Sequence, residues 1–348
     1  MRGKARNSGV AWLTAVFLPM ATLAAALPAQ AADEEKNAVV LTSGNRMTGG
    51  IVKMTRGKLL YAIDGAGPVA IDWNNVASLD SEQDLDVELA SGRRLSGSIT
   101  SSPGGLLVTG DTGSDRTALE DVVRITPIAA TPIERTDGHV EVGFDLLSAN
   151  DELDLTLNAE LENRTWNYLS QVALQSLVRR RDGDTVQRRN VADGSIRRIL
   201  RDRWFALGRL RAEEDEELDL DSRFLVGGGA GRTLLQSNRT VVTLYGGLDS
   251  IWERYAVQSG TDRSTEAFLA VEWDWFEIGG DVELLTGATV YTGLEHSRTR
   301  LDLGVSLRHE LFASLYWSLN LFQTYDSDPP EGLENHDAGL SFTLGRGF

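Results

Sequence analysis

Along most of this chain apolar and polar residues alternate one for one. Leu153, Leu155, Leu157, Ala159 and Leu161 interleave with Asp154, Thr156, Asn158, Glu160 and Glu162. At the C-terminus, Ala338, Leu340, Phe342 and Leu344 interleave with Gly339, Ser341, Thr343 and Gly345. Successive side chains of a strand point to opposite faces, so each run predicts a strand with one apolar and one polar face. About twelve such runs follow one another from His139 to Phe348, the least regular near 188–201. Short connections (162–165, 202–204, 236–238, 277–280, 312–314) take turns with longer ones (180–187, 213–222, 254–262, 327–335). An even number of strands with short turns at one end and longer loops at the other predicts a transmembrane β-barrel. Aromatic residues near the strand ends, among them Trp166, Trp204, Phe205, Trp273, Trp275 and Phe276, fit interfacial girdles.

The N-terminal third has a different period. Residues 38–128 contain one unit twice, over about 38–80 and 86–126. Leu41-x-Ser43-Gly44-x-Arg46 returns as Leu89-x-Ser91-Gly92-x-Arg94, and Trp73 to Leu79 returns as Leu119 to Ile125. Ser-Gly between alternating runs signals a hairpin. The expectation is a small duplicated β-domain, joined to the barrel by a linker at 129–138 that carries Pro132. Arg46 and Arg94 occupy matching positions and read as surface charges on an edge strand rather than a shared ligand contact.

Residues 1–31 change the compartment. Arg2, Lys4 and Arg6 precede the apolar stretch 10–26 and the cleavage pattern Ala29-Gln30-Ala31, which together predict a secretory signal peptide. The chain has no cysteine, so neither a lipid anchor at the cleavage point nor a disulfide is available. After the signal no apolar run is long enough for a membrane helix, which leaves a closed barrel as the spanning structure. The predicted location is the cell outer membrane, with the repeat domain in the periplasm. The formal net charge of −17 argues against nucleic acid as a partner.

Alternation places Glu141, Asp145, Asp154, Glu160, Glu162, Glu272, Asp274 and Asp302 on the predicted lumen face, against fewer cations, Arg308 among them. Charged side chains lining a pore set its ion preference. Charges paired across a filled lumen are the competing reading. The carboxylates of 213–217 read as a solvated loop, with divalent-cation binding as the alternative. Gly227-Gly228-Gly229-Ala230-Gly231 lies inside an alternating run without a following Lys-Ser/Thr, so it reads as room for a bent wall and not as a phosphate loop. His139, His296, His309 and His336 form no recognisable catalytic set, so no catalytic residue, cofactor or metal ligand is assigned.

The repeat motifs, Arg203-Trp204, the acidic stretch before Asp219-Leu220-Asp221, and Asp328-Pro329-Pro330-Glu331-Gly332 before the last strand resemble the DUF481 family, described as salt-induced outer membrane proteins. That resemblance implies an outer-membrane location and no established activity. The function expected is a narrow cation-preferring channel or an envelope-stress structural protein. A membrane-anchored binding module, docking an envelope partner through its periplasmic repeat, is the second reading; a barrel enzyme is the third and is not favoured. Expected partners are outer-membrane lipid, lipopolysaccharide and the barrel-assembly machinery. Phe342 and Phe348 in the closing strand look like the signal which that machinery reads.

Overall fold

A computed structural model describes residues 37–348 apart from 112, 148–151, 182–183, 217–218, 257–259, 277–280, 296, 313 and 330–334; the side chains at 144–147, 152–154, 181, 184–187 and 337 also lie outside the description. The signal-peptide residues 1–31, His296 and the side chains of Asp145 and Asp154 therefore fall outside the described residues.

The first nine strands are β1 (Ala38–Leu41), β2 (Arg46–Thr55), β3 (Lys58–Ile63), β4 (Gly67–Asp72), β5 (Val76–Leu89), β6 (Arg94–Ser102), β7 (Gly105–Gly110), β8 (Gly113–Thr117) and β9 (Val122–Pro127). The sheet order is β4-β3-β2-β1-β5-β6-β7-β8, with β9 pairing to β2 and β5. Each repeat folds as two hairpins, a 3-10 turn and a strand that returns to the first. In the first repeat β5 returns to β1, pairing Val39 with Leu79; in the second β9 returns to β5, pairing Val87 with Ile125. β5 thus closes one repeat and opens the next. The 3-10 turns fall at the matched motifs, Trp73–Asn75 and Leu119–Asp121, and Trp73 Nε1 donates to the Leu119 carbonyl at 2.8 Å. Gly97, shared by both units as Gly49, has φ of 146°, and a Cβ there would stand 2.0 Å from the Thr109 carbonyl oxygen. A continuous core of Val39, Met54, Leu59, Leu79, Leu85, Val87, Ile99 and Ile125 fills the domain.

The remaining strands are β10 (Thr136–Leu147), β11 (Glu152–Arg164), β12 (Tyr168–Arg181), β13 (Asp184–Ile199), β14 (Trp204–Asp215), β15 (Leu220–Gln236), β16 (Thr240–Tyr255), β17 (Asp262–Trp275), β18 (Val282–Gly293), β19 (Thr299–Phe312), β20 (Leu315–Asp326) and β21 (His336–Gly347). They form a closed antiparallel barrel in chain order, sealed by β21 against β10. Closure pairs Glu141 with Gly345 and Val142 with Leu344, and Gly138 and Phe348 exchange backbone hydrogen bonds of 3.0 and 2.9 Å. The chain is therefore all-β, with the twelve strands that alternation predicts. The outward face exposes Leu157, Val172, Leu174, Ile196, Leu248, Leu269, Leu319, Leu340 and Phe342. So much contiguous apolar surface on a closed sheet is a lipid-facing belt, and the barrel spans a membrane.

The strands are longer than alternation alone suggests, at 12 to 17 residues. Roughly 9–11 residues suffice to cross a bilayer. The excess accounts for a correction: the expected loops at 180–187 and 213–222 are largely strand, with β12 running to Arg181 and β14 to Asp215. Beyond the lipid both faces of a strand meet polar surroundings, so pairing continues after the apolar pattern stops. The first barrel strand likewise begins at Thr136, before the alternation becomes visible. Two aromatics assigned to the girdle point inward instead, Phe205 and Phe276, both buried. On the outer face Trp273 stacks on Trp275 at 6.3 Å, and Trp317 lies between His309 and Phe342 at 5.7 and 6.0 Å.

Candidate functional site

The lumen is divided into layers by charge. Toward the long-loop end a ribbon of alternating sign crosses the barrel. Arg189 reaches Glu213 at 3.0 Å, Glu213 reaches Arg223 at 3.1 Å, and Arg223 reaches Glu253 at 2.6 Å. Glu253 then faces Arg298 at 3.6 Å, and Arg298 holds Asp326 at 2.5 Å. Arg211 also approaches Glu213, at 3.4 Å, and Arg189 approaches Asp215 at 3.3 Å. Glu213 and Asp215 were expected in a solvated or cation-binding loop; both are buried and paired to arginine. Two residues apart on β14, they share the inward parity that alternation gives the strand.

The next layer is aromatic and guanidinium. Arg209 pairs with Asp249 at 2.5 Å and lies 4.1 Å above the Phe268 ring. Arg197 pairs with Glu272 at 2.9 Å and lies about 5 Å from Phe205 and Tyr245. Arg300 pairs with Glu266 at 2.5 Å over Tyr291. The glycine run makes this layer fit: a Cβ on Gly227 would stand 1.8 Å from Asp249 Oδ1. Nearer the short-turn end Glu141 is buried and accepts from Arg308 at 2.9 Å, Thr343 at 3.0 Å and Tyr316 at 3.1 Å.

Arg308 has company on the inner wall: among the described residues Arg189, Arg197, Arg209, Arg211, Arg223, Arg300 and Arg308 all enter ion pairs there. Strand parity marks their side of the sheet; what alternation does not carry is which carboxylate each meets, often one or more strands away, as Arg197 on β13 meets Glu272 on β17.

Two larger cavities remain between these layers. One of about 720 Å³ occupies mid-lumen, with Asn158, Gln171, Asp302 and Asn320 on its wall. A second, of about 550 Å³, lies at the short-turn mouth and carries Glu162, Asp274 and Glu283. Glu160, Gln171 and Glu272 line both, so these side chains stand between the two cavities. Glu272 is tied to Arg197 and Tyr245, and Glu160 faces His139 at 3.5 Å. Among the described residues Glu162, Asp274 and Asp302 have no ion pair, although Gln171 donates to Glu162 at 3.1 Å.

The N-terminal domain forms part of this mouth. Its Lys53, Thr55, Arg56 and Arg124 line the lower cavity with the barrel residues. Lys53 pairs with Asp137, Lys58 with Glu310 at 3.2 Å, and Arg56 with Glu283 at 3.6 Å. The firmest join is at Glu88, buried at the end of β5. It accepts from Arg164 of the barrel at 2.6 Å and from Gln236 at 3.2 Å, with Arg94 at 3.9 Å. Burial alone would push this carboxyl up; Arg164, Arg124 and Arg94 outweigh it and hold the group at about 2. Arg94 also donates to the Trp166 carbonyl and stacks on its ring at 5.3 Å. The reading of Arg94 as a bland surface charge is therefore overturned, because the domain face it occupies is turned against the barrel.

A family model described as a protein of unknown function, DUF481, matches residues 140–348. The chain belongs to the DUF481 family. The match starts in the first barrel strand, so the repeat domain stands outside the part that defines DUF481. No curated sequence matches the chain. Among solved structures it is similar to an outer membrane channel from Pseudomonas putida F1, at 14% identity over 61% of this chain and 95% of that one, with a TM-score of 0.39. It is also similar to the NanC porin (11%, 60% and 97%, 0.38) and to the translocator domain of the autotransporter NalP from Neisseria meningitidis (13%, 61% and 86%, 0.36). Likeness at this level brings no activity to this DUF481 barrel.

Proposed function

We propose that this DUF481 barrel sits in the outer membrane with its short-turn end and N-terminal domain in the periplasm, and that it is a narrow cation-preferring channel. The observation that carries the reading is the run of carboxylates along the two adjoining cavities. The arginines of the barrel strands are engaged with acids of the upper and middle layers and, for Arg308, with Glu141, while Glu162, Asp274 and Asp302 have no ion pair among the described residues. Carboxylates outnumber the cations on the wall of the lower cavity, and an excess of fixed negative charge concentrates cations and repels anions. The surrounding lipid and lipopolysaccharide hold the belt, and the assembly machinery inserts it through the closing strand with Phe342 and Phe348.

Reversal potentials of the purified protein in planar bilayers under a potassium chloride gradient test the proposal. The expected result is cation selectivity that falls several-fold in a Glu162→Gln/Asp274→Asn double variant. Absence of conductance at every voltage, or selectivity indifferent to both substitutions, would remove it.

A further inference from the structure

The turn between β2 and β3 consists of Arg56 and Gly57, with φ of 51° and 73°. Two successive left-handed residues make the tight hairpin turn whose twist matches its strands, and Arg56 adopts it without being glycine. This places a guanidinium at a hairpin tip of the N-terminal domain that lines the barrel mouth. Arg56 lies 5.2 Å over the buried Phe276 ring and 3.6 Å from Glu283, and it lines the same cavity as Glu162 and Asp274. An aromatic face with carboxylates around it is a seat for a planar organic cation. Lys53 and Lys58 flank the tip and tie it to Asp137 and Glu310 on the rim.

We propose that Arg56 is a tethered blocking cation: the acid-lined mouth over Phe276 is a guanidinium-type cation site, and the β2–β3 hairpin fills it with a residue of this same chain. The inference rests on the channel reading and adds the identity of the stopper and the class of cation that competes with it. The Arg56 side chain is 45% exposed, and an ion pair so open to water is weak. The Arg56 side chain therefore leaves its seat while Lys53 and Lys58 keep the tip at the rim and the buried Glu88 join keeps the domain docked.

The test uses full-length protein in planar bilayers, with Arg56→Gly as the main variant because glycine accepts the left-handed turn, and Arg56→Gln as a second that keeps side-chain length. Both variants should conduct at least twofold better than the parent. Millimolar ethylguanidinium added on the short-turn side should block the variants and leave the parent nearly unaffected, whereas tetramethylammonium should block none of them. Equal conductance in all three with no selective ethylguanidinium block overturns the stopper and leaves the channel reading standing. If none conducts, the channel reading fails, and ethylguanidinium binding to detergent-solubilised Arg56→Gly by calorimetry decides the site: binding absent from the parent supports it, and no binding to either form overturns it.

Discussion

The Glu88 join can be broken by one isosteric change, Glu88→Gln. The carboxylate is held at about 2 against an ordinary 4.5, and its side chain is only 11% exposed. At 1.36 kcal/mol per pH unit, that difference corresponds to ~3 kcal/mol favouring the charged form. The variant keeps the shape and loses the charge, leaving Arg94, Arg124 and Arg164 to repel one another around a neutral amide. The domain should then leave the barrel about a hundredfold more often. Hydrogen exchange on the full chain reads this in peptides covering 88–94 and 162–168, which should lose protection together while mid-barrel peptides keep theirs. The sign of the pH dependence follows from the lowered value: the contribution is complete above about 4.5 and is lost as pH falls toward about 2. Parent protein taken through that window should approach the exchange of the variant. A change of less than threefold, or loss of protection on raising the pH instead, would refute the reasoning.

Other changes probe separate parts of the fold. Gly227→Ala drives a methyl into Asp249 and displaces it from Arg209, at a cost of roughly 3 kcal/mol; the folded, heat-modifiable band on gels should disappear at lower temperature, and an unchanged transition would contradict the layer described. Gly97→Ala combines a φ of 146° with the Thr109 carbonyl 2.0 Å away and should cost about 1–3 kcal/mol, read as faster exchange in β6 and β7 with the barrel unaffected. Deleting Phe348 removes its backbone exchange with Gly138 and should lower the amount of folded barrel in the membrane; normal levels would count against its role in closure.

The barrel was legible because lipid outside and water inside impose a two-residue period, and that period survives in Leu153 to Glu162 and in Leu340 to Gly345. The same parity is what assigns Glu141, Glu160, Glu162, Glu272 and Asp274 to the inner wall. It was silent on partners: Arg209 meets Asp249, forty residues away, only because β14 and β16 lie on either side of β15. Loop lengths were misjudged where strands outrun the membrane and lose their apolar face, as at Arg181 and Asp215. The mouth was least legible. Arg56 and Arg94 look alike as exposed basic residues of hairpins, and what distinguishes them from Arg46 is which face of the domain meets the barrel, a relation between segments far apart in the chain.

The double membership of β5 has a consequence for how the domain can be lost or gained. Its first half completes one repeat and its second half begins the other. Neither copy can be excised cleanly, since removing either takes a strand from its twin and exposes the core they share. The duplicated unit is thus a single cooperative body despite its two-part sequence. Excising either copy takes structure from both, so chains of this kind should carry both repeats or neither.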